Sequence, residues 1–449
     1  MSKQRIQLSD HFTYPRLLRF VLPCIGTMLF TSIYGIVDGL CVSNFVGKTA
    51  FAAVNLIMPL PILLGTIGFM LGTGGSAIVG ITLGEGDQKK ADRYFTLFLL
   101  AALISVSVLA VLGIVFLRPI AALLGAKGEL LDYAVRYGRI LMVSLPTFAL
   151  QNMFQSFFVT AEKPHLGFWF TVGAGCTNMV LDVLMVGIWG WGVEGAAIAT
   201  FISQLVGGVL PVFYFIDRSN SSRLHLCKTS FYSKVLRDAC INGSSELMTN
   251  LSMSLVNILY NFQLLRLAGE NGVAAYGVIM YAAFLFVAVF VGYAVGSAPI
   301  VSFHYGARNH AEVHNLYRKS LRLIAVVAVT LTLASMFIIP CVARIFVGYD
   351  AELLALTSRA FRLYALSFLI MGFNVYASSF FTALGDGVTS ALISFLRTLA
   401  FQVIAILLLP LLLGIDGIWL AVTAAELAAL AVSAAMLLTK DKVFHYRKA

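Results

Sequence analysis

The chain repeats itself. Segments of its first half return about 222 residues later, and nearly all of the repeated text is apolar. AFAAVNLIM from Ala50 returns as NGVAAYGVIM ending at Met280, and GTGGSA from Gly72 returns as AVGSAP from Ala294. QSFFVTAEKP from Gln155 returns as SSFFTALGDG from Ser378, and GVEGAAIA from Gly192 returns as GIDGIWLA from Gly414. Two copies of one helical bundle that face each other can hold a substrate path at their interface, the plan of many secondary transporters. The repeat therefore points to movement of something across a bilayer.

With 59% apolar and 12% charged residues, apolar stretches recur from end to end. A membrane-crossing helix needs about 20 such residues. Twelve are expected, over 17–42, 50–83, 94–117, 131–160, 165–188, 193–216, 236–265, 273–305, 317–340, 357–384, 388–412 and 417–438. Strands of a membrane barrel would be about 10 residues of alternating polarity, and that pattern is absent. The expected fold is an all-α membrane protein: twelve transmembrane helices in two pseudo-symmetric six-helix bundles. An N-lobe over 1–216 and a C-lobe over 236–449 are joined by a polar linker at 217–235.

The formal net charge is +10, and its placement argues for orientation rather than for nucleic acid. Twelve spans put both termini on one side. If that side is cytoplasmic, the inner helix ends hold most of the basic residues, in clusters such as Lys89, Lys90 and Arg93 or Arg318, Lys319 and Arg322. The outer ends hold few, such as Lys127 and Arg344. This is the positive-inside pattern, and it places the chain in the cytoplasmic (inner) membrane with both termini inside. Basic inner ends also attract anionic lipid. The six cysteines show no CxxC spacing, so neither a disulfide framework nor a zinc site is expected. A polar N-terminal stretch before the first apolar run does not read as a cleaved signal. No GxxxxGK[ST] occurs and the loops are short, so no nucleotide-driven motor is expected within the chain. Energy then comes from an ion gradient, the substrate's own gradient or another subunit.

Ionisable side chains inside a span are costly and are functional candidates by default. Asp38 in helix 1, Asp182 in helix 5 and Thr200 in helix 6 lie ten, seven and six residues from Lys48, Trp189 and Glu194. At about 1.5 Å per residue these are roughly 15, 10 and 9 Å from the outer ends. Asn178 and Asp182 are one turn apart and share a helix face. Two carboxylates, an amide oxygen and a hydroxyl that converge there suit a small hard cation. Two close carboxylates also repel and favour holding a proton. The other reading is that each acid is neutralised separately by local hydrogen bonds. In the second half the corresponding positions are Ala400, Ile404 and Val422, so this polar cluster belongs to the first half alone.

Glu246, Asn250, Ser254, Asn257 and Asn261 form one polar stripe along helix 7, and a polar stripe cannot favourably face lipid. It lines a water-filled path between the lobes or else joins helix 7 to its neighbours. Arg397 in helix 11 and Glu426 in helix 12 are expected to pair, either as a structural ion pair or as a second site that helps reset the cycle. Pro23 lies inside helix 1 and predicts a kink. Glycines at 65, 68, 72, 74 and 75 in helix 2 suit close helix packing, or a hinge. Met153, Phe154, Phe157 and Phe158 read either as a greasy substrate wall or as ordinary packing.

IYGIVDGLCVSNFVG around Asp38, TAEKPHLG after helix 4, NMVLD at Asn178–Asp182 and GVEGAAIAT ending at Thr200 occur in that order. Together they resemble the multidrug and toxic-compound extrusion (MATE) family, in particular its prokaryotic branch with an acidic N-lobe cation site. The resemblance covers essentially the whole chain. It implies two lobes around a V-shaped cleft, and antiport of amphipathic, often cationic compounds against inward Na⁺ or H⁺. It also implies cation-coupling roles for Asp38, Asn178, Asp182 and Thr200, and places Pro23 at that branch's helix-1 proline. Some branches carry an essential Asp in helix 10, where this chain has Asn374. That departure argues against a C-lobe cation site of that kind, although Glu246 remains available to serve one.

The expected partners are small amphipathic substrates and the bilayer, with no nucleic acid, for a chain acting as a monomer. No cofactor or resident metal is expected, and H⁺ or Na⁺ is the coupling ion. A lipid-linked oligosaccharide flippase shares the broad resemblance, but the one mid-membrane base is Arg397 against four embedded acids. A sugar transporter of the major facilitator type would carry a GxxxDRxGRR-like loop, where this chain has GEGDQKKADR. A membrane acyl- or glycosyl-transferase would need clustered His/Asp or DxD groups, and the seven His are scattered, so an enzyme is not expected.

Overall fold

The computed structural model describes the backbone of residues 6–45, 48–348 and 350–447. The side chains of 38–45, 48, 50–51, 340, 342, 345 and 346 are not part of that description, so the side chain of Asp38 lies outside the described residues.

Among the described residues the chain is a succession of long helices. The first half comprises α1 (Tyr14–Phe45), α2 (Lys48–Ile57 continuing as Pro59–Gly84), α3 (Gln88–Leu123), α4 (Glu129–Thr160), α5 (Pro164–Asp182 plus a π-helical stretch, Val183–Ile188) and α6 (Gly192–Gly208 with Leu210–Ile216). The second half opens with one continuous helix, Ser233–Gly306, broken at Gly269, whose φ of 60° and ψ of −151° lie outside the helical region. We treat it as α7 (233–268) and α8 (270–306). Then come α9 (His310–Val347), α10 (Ala351–Ala365 with Phe368–Ala383), α11 (Gly387–Phe395, a π-helical Leu396–Ala400, then Phe401–Leu413) and α12 (Ile415–Thr439). Nine of the described helices are long and apolar enough to cross a membrane, ten when the two bent parts of α10 count as one span. The division at Gly269 adds another, and α4 completes the twelve rods. Its first turns carry Glu129, Asp132, Arg136 and Arg139, which lower its hydropathy.

The repeat extends to the turns. Asp87 Oδ1 accepts from the Lys90 amide (3.0 Å), and Asn309 Oδ1, 222 positions on, accepts from Glu312 (3.1 Å). Each caps the third helix of its half by satisfying an amide that the helix leaves open. Gly192 and Gly414, at the last helix of each half, have φ of 60° and 59°. That left-handed conformation is accessible to glycine at little cost.

The two halves meet along a pseudo-twofold seam of small residues. A methyl on Gly84 would strike the Phe303 carbonyl, and a methyl on Gly306 would strike that of Ile81. Gly243 of α7 packs on the Met70 carbonyl of α2, while Gly292 of α8 packs on Ile25 of α1. In lipid no hydrophobic drive pushes helices together, so close backbone approach through glycine supplies the packing energy. This accounts for the helix-2 glycines: Gly68 and Gly72 seat against Ala149 and Met153 of α4, and Gly74 against Ala239 and Gly243. These inter-half contacts gather toward the end that carries the N-terminus. Away from it the α7 surface opens, from buried Asn242 to exposed Ser254 and Asn257.

Two non-helical straps cross between the halves at the end that carries the N-terminus. The segment before α1 lies on α9: the Phe12 amide donates to Glu312 Oε1 (2.9 Å), while Asn315 and Lys319 donate to the Phe12 carbonyl (3.1 and 2.6 Å). The segment before α7 lies on α3: the His225 amide donates to Asp92 Oδ1 (3.0 Å) and the Cys227 amide to Thr96 Oγ1 (3.1 Å). Each strap leads into one half and docks on the third helix of the other. They meet at Glu162, whose Oε1 accepts from the Leu8 amide (2.9 Å) and from Arg223 (2.6 Å).

Candidate functional site

In the first half, α1, α5 and α6 converge on the positions singled out in the sequence. Asp182 is the last residue of the α-helical part of α5 and is wholly buried. Asn178, one turn earlier, is also buried. The π-helical stretch begins at the next residue, Val183. Wide π turns often occur at functional sites, because they redirect side chains and loosen the backbone hydrogen-bond ladder. Sequence periodicity gives no sign of this one.

Two contacts fix the register of the three helices. Ser203 Oγ of α6 donates to the Ala174 carbonyl of α5 (2.7 Å), and Phe30 and Tyr34 of α1 fill the space in front of Gly175. α6 runs antiparallel to α5, so Thr200 stands near the level of Asn178. α1 runs parallel to α5, so the backbone of residue 38, one turn beyond Tyr34, lies near the level of 179. The Thr200 hydroxyl donates within its own helix to the Ala196 carbonyl (3.0 Å) and keeps its acceptor capacity. Among the described residues the Asn178 amide nitrogen and the Gln204 carbonyl oxygen, both buried, have no hydrogen-bond partner. Gln204 is a residue that sequence reasoning missed as a candidate here. It lies one turn from Thr200 and adds an open oxygen to the set. The open Gln204 acceptor costs free energy unless a cation or water completes it, and the open Asn178 N–H costs it unless an acceptor does.

In the second half the structure brings Arg397 and Glu426 together. Arg397 Nε donates to Glu426 Oε1 (2.8 Å), and the carboxylate is fully buried. Asn374 was noted in the sequence only for the acid it lacks, yet it holds the pair in place. Its amide nitrogen donates to Glu426 Oε2 (2.7 Å) and to the Glu426 carbonyl (2.9 Å), and its oxygen accepts from Ser433 (2.9 Å). Arg397 sits in the π-helical stretch of α11. Glu246 of α7 is half-buried and within electrostatic reach of Arg397.

The stripe on α7 bonds along its own helix: Asn250 to the Glu246 carbonyl (2.9 Å), Ser254 to the Asn250 carbonyl (3.2 Å) and Asn261 to Asn257 (3.3 Å). Leu251, Leu255, Ile258 and Phe262 are exposed on an adjacent face. α7 thus presents two open faces, one apolar and one polar. Pro23 is buried within a continuous α1, and Thr27 donates to its carbonyl (2.9 Å). Met153, Phe154, Phe157 and Phe158 do not form a wall open to a substrate. They are buried, with Phe154 stacked on Phe215 and Phe157 tilted against Phe95, because their face of α4 is the centre of the first bundle.

A duplicated helical bundle with polar groups buried in both halves defines a multi-pass membrane protein built of two repeated halves. The chain belongs to the MatE family, whose model matches residues 23–184 and again 247–408. It is 21% identical over 431 residues to the multidrug export protein MepA of Staphylococcus saprophyticus, covering 95% of this chain and 94% of that one. The fold superposes on a crystal structure of MATE in complex with MaL6 with a TM-score of 0.92 at 22% identity, over the full length of both chains. It superposes equally completely on the outward-facing conformation of a multidrug resistance MATE family transporter of the MOP superfamily (TM-score 0.91, 23% identity).

Proposed function

We propose that the protein is a secondary active multidrug efflux antiporter of the cytoplasmic membrane, exporting amphipathic, cationic compounds in exchange for inward H⁺ or Na⁺. The observation that carries this reading is the wholly buried Asp182 carboxylate, one turn from Asn178, at the junction of α5 with its π-helical stretch. Family membership and the likeness to a multidrug export protein support the transport class. The coupling ion is held by Asp38, Asn178, Asp182 and Thr200, with the Gln204 oxygen nearby. Substrate moves along the polar face of α7, past Glu246, Asn250, Asn257 and Asn261.

The seam supports a mechanism. The halves are pressed together at the end bearing the N-terminus and the polar α7 face opens toward the other, as in a state open to the outside. Ion entry at Asp182 changes the charge beside α1, whose Phe30 and Tyr34 pack on α5. That shifts the population between the two arrangements only if the ion binds one of them more tightly. The test is efflux of a fluorescent organic cation from proteoliposomes under imposed Na⁺ or proton gradients, applied separately. Asp182→Asn should abolish gradient-driven efflux while leaving membrane insertion intact. Normal efflux in that variant sinks the site.

A further inference from the structure

We propose that Arg397 is a tethered cation: its guanidinium permanently occupies the acidic pocket of the second half, so that ion exchange is confined to the first. Glu426 is fully buried and both its oxygens are committed, one to Arg397 (2.8 Å) and one to Asn374 (2.7 Å). Asn374 cannot turn away, because its nitrogen is also bonded to the Glu426 carbonyl and its oxygen to Ser433. The carboxylate is therefore fixed facing the guanidinium. Glu246 on α7, the other acid on this side, lies within electrostatic reach of the same guanidinium.

The chemistry of the occupant decides the consequence. A proton or Na⁺ at a buried carboxylate can arrive and leave, and so can couple to a gradient. A guanidinium does not lose its proton in proteins, and this one is covalently part of α11. A mobile cation that entered would meet like charge in a medium of low dielectric. The first half is built the other way. The position matching Arg397 is Gly175, where even a methyl group would stand 2.5 Å from the Phe30 ring, so an arginine there would have to displace Phe30. The position matching Glu426 is the uncharged Gln204. Duplication has left one half with an acid paired to its own arginine, and the other with an acid where α1, α5 and α6 meet and with glycine at the position matching that arginine.

The functional consequence, one ion-exchanging half per transporter, rests on the ion-coupled reading of the first half; the tethered cation does not. The test is thermal unfolding of the purified full-length protein, titrated with NaCl at constant ionic strength and over neutral to mildly acid pH. Asp182→Asn should remove the ion response of the native protein. Asp182→Asn with Arg397→Gln should gain a new Na⁺- or proton-dependent rise in unfolding temperature, because buried Glu426 then needs a replacement cation. Adding Glu426→Gln should erase that gain, and Arg397→Lys in place of Arg397→Gln should not produce it. A purely structural ion pair would lower the unfolding temperature in Arg397→Gln by the same amount at every Na⁺ concentration and pH, and that result overturns the inference. So does an ion response that survives in Asp182→Asn and vanishes on adding Glu246→Gln or Glu426→Gln. This last arm decides the matter even if Arg397→Gln fails to fold. A native protein with no ion response would sink the first-half site while leaving the Arg397 arms to be read independently.

Discussion

The side-chain amide of Asn374 donates to Glu426 twice, once to its carboxylate and once to its backbone carbonyl. An aspartate at 374 could not make these bonds and would set a second carboxylate against Oε2. The amide is what allows the acid to sit on α12 rather than on α10.

Replacing Asn374 with leucine keeps the branched shape, adds bulk at a fully buried position and removes both donors. Glu426 Oε2, its carbonyl and the Ser433 hydroxyl then lose their partner in a buried place, at a cost of about 1–3 kcal/mol per group left unsatisfied. The expected outcome is a clear fall in the unfolding temperature of the purified protein. Asn374→Asp should also be destabilised, through repulsion between the two acids, and Asn374→Asp with Glu426→Gln should recover part of the loss. An unchanged unfolding temperature in Asn374→Leu would show that the amide does not hold the pair.

The glycine seam makes a second prediction. Gly306→Ala places a methyl against the Ile81 carbonyl, and backbone cannot yield as a side-chain tip can. Overpacking of this kind costs typically about 1–3 kcal/mol. α2 and α8 should be wedged apart at the end bearing the N-terminus, lowering thermal stability and raising the reactivity of a cysteine introduced nearby on α2. Gly84→Ala, its partner across the pseudo-twofold, should act in the same direction. Wild-type behaviour in both would mean that the seam has slack.

The N-terminal strap depends on Glu312, which accepts from the Phe12 amide and from Asn315 and lies 2.6 Å from His11 Nδ1. Hydrogen bonds to a charged group contribute about 1.5–3 kcal/mol each. Glu312→Ala should release residues 8–12 from α9, seen as faster amide exchange at Phe12 and cleavage by protease before Tyr14, with α9 itself still protected. Equal protection in variant and native protein would place the anchoring elsewhere, at buried Leu8 and Phe12.

Much of this architecture was legible in the sequence. The apolar runs located the spans because a helix in lipid must be both long and apolar, and the repeat supplied their pairing. α4 was found by its length, although its charged first turns dilute the signal. The π-helical stretches beside Asp182 and around Arg397 were not legible, since one extra residue per turn leaves no compositional mark. Nor was the role of Asn374: a lone polar residue in a span shows its cost, but its partners, Glu426 and Ser433, are fixed only by packing. The aromatic run of α4 illustrates the same limit, because an apolar face looks alike whether it meets a substrate, lipid or Phe215. The straps were hidden for a related reason. Their bonds are made by backbone amides, which every sequence supplies.

The turn between α10 and α11 carries a pH-dependent contribution. Asp386 caps α11 by accepting from the Thr389 amide (3.2 Å) and hydroxyl (2.7 Å), and pairs with Lys440 at 2.8 Å. Burial opposes its ionisation, but the Lys440 ammonium and the two Thr389 donors outweigh that, and its carboxyl is held below the ordinary value of 3.8. A carboxyl with a depressed folded-state value favours folding above its unfolded value, and that stabilisation is lost as pH falls through the folded one. The pair should therefore contribute fully at neutral pH and weaken only below about 3.8, the ordinary value for an aspartate. Asp386→Asn should lower the unfolding temperature at pH 7 and flatten its decline in acid, relative to the native protein. Lys440→Gln should lower it less, because the Thr389 donors remain. Parallel acid profiles for native protein and Asp386→Asn would show that this cap plays no part in the acid response.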